Sequence, residues 1–70
     1  MANGNREVIL EFQTLGNAVK VTAVDTATLI EVSIVGPPSA GEEALKRTVL
    51  RKLDYVLAQR GLAPLPRSDT

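Results

Sequence analysis

From Arg6 to Gly36 the apolar positions of the chain recur with a period of two, and from Ser39 to Arg60 they recur with a helical period,. The first pattern predicts strands and the second an amphipathic helix. In the run REVILEFQTL, Val8, Leu10 and Phe12 fall on one face, while Glu7, Ile9, Glu11, Gln13 and Leu15 fall on the other,. Gly16-Asn17 then offers two residues that tolerate positive φ, which a two-residue hairpin turn requires,. A second strand, Ala18 to Val24, puts Val19, Val21 and Ala23 on the inner face. Asp25-Thr26-Ala27-Thr28 reads as a polar turn led by Asp25,. A third strand, Leu29 to Val35, contributes Ile30, Val32 and Ile34.

These turns specify registers. The first pairs Leu15 with Ala18, and hence Phe12 with Val21 and Leu10 with Ala23. The second pairs Val24 with Leu29, and hence Ala23 with Ile30, Val21 with Val32 and Val19 with Ile34. Both keep the inner set on one side, whereas a one-residue slip would turn it outward. Gly36-Pro37-Pro38 ends the sheet, because proline supplies no ladder donor,. Ser39 and Glu42 have capping-box spacing, Arg60 lies in the last turn, and Gly61 suits the left-handed position beyond it,. Leu45, Val49, Leu50, Leu53, Val56 and Leu57 make the buried stripe of the helix,. The expected fold is therefore α+β: a three-stranded antiparallel meander, order 1-2-3, with one C-terminal helix packed on one face (β-β-β-α). It occupies residues 6–61 as a single domain, with residues 1–5 a disordered start and 62–70 a Pro-containing tail.

Composition narrows the chemistry. The chain has no histidine and no cysteine, so it holds no imidazole base, redox thiol or disulfide, and the residues point to no metal or other cofactor. Eight cations balance eight acids, which removes any bulk attraction to nucleic acid or anionic lipid. No apolar run is long enough to span a bilayer. The polar N-terminus and the lack of cysteine favour the cytoplasm,. At 70 residues the chain buries only about 60% of its unfolded surface, so a lone monomer would be marginally stable.

That marginal stability directs attention to surfaces. By the registers above, Ile9, Val24 and Leu29 line up across the outer face of the sheet, and Leu15, Ala18 and Val35 form a second apolar row. Glu11, Thr22, Glu31 and Lys20 lie between the rows. The candidate dimer interface is therefore Ile9, Glu11, Leu15, Lys20, Val24, Leu29, Glu31 and Val35, used face to face or by pairing of an open strand edge,. The alternative is a nucleic-acid accessory protein with phosphate contacts at Arg47, Arg51 and Lys52,. A solvated helix face is the better explanation of those cations, and nucleic acid is the weaker reading. Catalysis finds little support. Glu11 and Glu31, across a central strand, would stand about 9–10 Å apart, too far to share a proton. Ser39 has no accompanying base,. The chain reads as a small non-catalytic, self-associating interaction module.

The segments Glu11-Phe12, Gly16-Asn17-Ala18-Val19-Lys20-Val21, Val24-Asp25, Val35-Gly36-Pro37, Leu50-Arg51-Lys52-Leu53 and Tyr55-Val56-Leu57 carry a resemblance to a family of short bacterial proteins of unknown function. The likeness runs from Glu7 to Gly61. It implies a stand-alone domain and no particular activity, cofactor or catalytic residue.

Overall fold

A computed structural model describes residues 7–63 and 65. The expectations for residues 1–5 and for the tail beyond Leu65 lie outside the described residues. Three strands, β1 (Val8–Leu15), β2 (Ala18–Asp25) and β3 (Ile30–Gly36), form an antiparallel sheet in the order β1-β2-β3. A 3-10 turn at Pro38–Ala40 leads into one helix, α1 (Glu42–Gln59). The α+β meander with a C-terminal helix is the architecture the periodicities call for.

The β1–β2 register matches expectation, with Phe12 opposite Val21 and Leu15 opposite Ala18. The turn between them differs in one respect. Gly16 has φ +61° and Asn17 does not have positive φ, so only the first central residue is left-handed, as in a II′ turn. The β2–β3 register differs by two residues: Ala23 faces Val32, Val21 faces Ile34 and Val19 faces Gly36. The loop keeps four residues but sits one residue later than the expected turn, because Asp25 ends β2 and Leu29 belongs to the loop. Its N–H donates to the Asp25 carbonyl at 2.7 Å and its φ is +63°. Asp25 clasps the loop from within. Its side chain is fully buried, and Oδ2 accepts the Thr28 hydroxyl at 2.7 Å. The Thr28 Oγ1 in turn accepts the Ile30 N–H at 3.3 Å. A two-residue shift preserves parity, so the inner set stays inward.

The helix also starts later than its capping box suggests. Ser39 sits in the 3-10 turn, and Gly41, at φ 86° and ψ 152°, precedes the first helical residue without a side-chain cap. A helix cannot run through that conformation, which is essentially reserved for glycine. At the other end, Gly61 (φ +71°) donates to Ala58 and Leu62 donates to Leu57. These are the paired bonds of a Schellman motif, and they satisfy carbonyls that the helix leaves orphaned. Arg60 is the C-cap, one residue past the last helical turn.

The core is Val21, Ala23 and Val32 from the sheet and Leu45, Val49, Leu53 and Leu57 from the helix. Leu65 packs against it from the tail, and its N–H donates to Asp54 Oδ1 at 2.9 Å. The helix lies on β2 and β3. That placement separates the strands: Val21 is fully buried, whereas Phe12, directly opposite it on the same face of β1, remains 36% exposed.

Candidate interaction surface

Which backbone groups the sheet leaves free follows from its hairpins. A two-residue loop is closed by a hydrogen-bonded pair, here Leu15 and Ala18,. Alternation then gives Gln13–Lys20, Glu11–Thr22 and Ile9–Val24 as hydrogen-bonded pairs,. The Thr26 N–H donating to the Glu7 carbonyl at 3.1 Å continues the same series. The odd-numbered residues of β1 therefore bond inward to β2. Val8, Leu10, Phe12 and Thr14 direct their N–H and C=O groups off the open edge.

The same alternation makes Glu31, Ser33 and Val35 the edge-facing residues of β3. There the Ser33 carbonyl does point outward, and Lys52 Nζ takes it at 2.8 Å. A charged lysine across an exposed ladder is a recognised means of blunting an edge. The β1 edge has no such cover among the described residues. It is eight residues long, contains no proline, and carries Ile9 at 58%, Leu15 at 43% and Phe12 at 36% exposure.

The residues singled out from the sequence divide accordingly. Ile9, Glu11 and Leu15 lie on the outer face of β1, Lys20 and Val24 on that of β2, and Glu31 and Val35 on that of β3. Leu29 is not on the sheet at all; it stands in the β2–β3 loop, 77% exposed. The two aligned apolar rows do not form. Val24 faces Glu31 rather than Leu29, and Val35 faces Lys20 rather than Ala18. Glu11 and Glu31 do not flank a common residue either: Thr22 stands between Glu11 and Ser33, with Thr22 Oγ1 and Ser33 Oγ hydrogen-bonded at 3.1 Å. The cause is again the loop, which takes Leu29 and slides β3 by two positions.

Arg47 and Arg51 are exposed on the helix. Lys52 is drawn to the flank over β3 by its bond to Ser33. Successive helical residues are about 100° apart, which puts Lys52 well away from the direction of Arg47. The three cations therefore do not make one patch. Leu10 and Phe12 are not candidates on pattern alone, since their inward parity assigns them to the core, and Thr14 carries no signal of its own. The two-residue loop already implies that their backbones face outward; what the pattern lacks is the position of the helix.

The family model described as a domain of unknown function (DUF6898) matches residues 5–60. No curated protein and no solved structure gives a significant match. With most of its length covered, the chain belongs to the DUF6898 family.

Proposed function

We propose that the chain is a non-catalytic interaction module that associates with a second copy of itself through the β1 edge. One observation carries this reading: of two sheet edges, β3 has its carbonyl occupied by Lys52, while β1 presents unpaired backbone beside three exposed apolar side chains. Edge pairing is favoured over face-to-face stacking because Glu31 and Lys20 interrupt the apolar rows that stacking would need. A small domain also gains more from added burial than a large one.

Sedimentation equilibrium at micromolar concentration tests the proposal. The expected species has twice the 7.5 kDa chain mass. Thr14→Pro removes an N–H that points off the edge and leaves the β1–β2 ladder intact, as proline on an edge strand allows. It should give a folded monomer. A wild-type chain that stays monomeric, or a Thr14→Pro variant that dimerises as well as wild type, would overturn the reading.

A further inference from the structure

The sequence of β1 is self-complementary in one register, and from this we infer the geometry of the dimer: two β1 strands pair antiparallel about a two-fold axis at Phe12. The inference rests on self-association at the β1 edge and adds the identity of the facing residues.

Only the even-numbered residues of β1 have free backbone groups, so hydrogen-bonded pairs across the new seam must join even residues to even residues. For a symmetric pair this leaves few registers. Centring the axis at Glu11 would place the two Glu11 side chains directly opposite each other, in the closer, non-hydrogen-bonded type of pair. Like charges so placed are destabilising. It would also set Ile9 against the partner's Gln13. Centring at Leu10 sets Ile9 against the partner's Glu11. Centring at Gln13 sets Leu15 against the partner's Glu11.

Centring at Phe12 avoids each of these mismatches. Ile9 then faces the partner's Leu15, Glu11 faces the partner's Gln13, and the two Phe12 rings meet on the helix side. The three large apolar side chains that β1 leaves exposed cover one another, and each glutamate meets an amide rather than a charge. The resulting sheet has six strands in the order β3-β2-β1-β1-β2-β3, with both helices on one face. Its outer edges are both β3, each with Lys52 on the Ser33 carbonyl. Such an assembly closes at two copies instead of growing into a filament.

The chain has no cysteine, so engineered thiols report the register without background. Glu11 and Gln13 are both exposed, which makes Glu11→Cys and Gln13→Cys compatible with folding. In the Phe12-centred dimer residue 11 faces the partner's residue 13 at a Cα separation of about 4.5 Å, within disulfide range. Residue 11 and its own symmetry mate stand diagonally, about 7–8 Å apart, beyond it. Oxidising a mixture of the two variants, one carrying a mass tag, should give the mixed disulfide, with little cross-linking of either variant alone. Efficient cross-linking of Glu11→Cys or Gln13→Cys alone would overturn this register while leaving edge pairing intact. A dimer by mass with no cross-link in any combination would overturn the edge itself. A monomer would overturn both.

Discussion

Gly36 of β3 lies directly against Leu45 of the helix, and replacing it with alanine is a sharp test of the packing. A Cβ built at Gly36 would lie 2.6 Å from Leu45 Cδ2. That is about 0.8 Å inside the 3.4 Å at which ordinary contact begins,. Leu45 is only 6% exposed, so it has little open space to move into. Overpacking of this kind costs about 1–3 kcal/mol. Against it stands the usual gain from replacing glycine inside a strand, about 0.5–1 kcal/mol. On the midpoints of those ranges the clash wins, and Gly36→Ala should destabilise by about 1 kcal/mol, each kcal/mol lowering Tm by about 4–8 °C in a domain of this size. Leu45→Ala alone should cost about 2–5 kcal/mol. In the Leu45→Ala background the obstructing atoms are gone, and Gly36→Ala should change sign and become stabilising. Urea unfolding followed by far-UV circular dichroism, at one fixed protein concentration because the proposed self-association would add its own term, measures all four corners of the cycle. A Gly36→Ala chain more stable than wild type, or an equal cost in both backgrounds, would refute the reasoning.

Two further substitutions probe the β3 edge and the loop that precedes it. Lys52→Met keeps the aliphatic stem and removes the donor to Ser33; it should leave the fold intact and yield species larger than a dimer, by light scattering, whereas Lys52→Arg should not. Leu29 holds a left-handed backbone conformation while 77% exposed, so Leu29→Asn should raise stability by about 0.5–1 kcal/mol in thermal melts, and a loss instead would mean that the leucine makes contacts worth more than its strain.

How much of this was legible in the chain depended on which turn was involved. Gly16-Asn17 leaves the first hairpin one economical closure, and its register follows directly. The second hairpin misleads because Leu29 is apolar and continues the strand alternation. Nothing local marks a leucine for φ +63°, a conformation that bulky residues rarely take. Since the resulting shift is even, the core set survived it, and the outer-face rows, which depend on which residues stand opposite, did not. The helix stripe was readable from spacing, but its start was not. Ser39 and Glu42 imitate a capping box, while Gly41 breaks the path between them. The open β1 edge needed two facts together: the hairpin alternation, available from the chain, and the seating of the helix over β2 and β3, which is a tertiary choice among several covers of the same inner face.

In the proposed dimer two copies meet at the β1 edge. Residue-resolved amide hydrogen exchange measured across a dilution series tests that contact at the atoms concerned. The amides of Ile9, Glu11, Gln13 and Leu15, bonded to β2, should be protected at every concentration. Those of Leu10, Phe12 and Thr14 should exchange fast in dilute solution and become protected as the concentration rises. Fast exchange at Leu10, Phe12 and Thr14 at every concentration would contradict it.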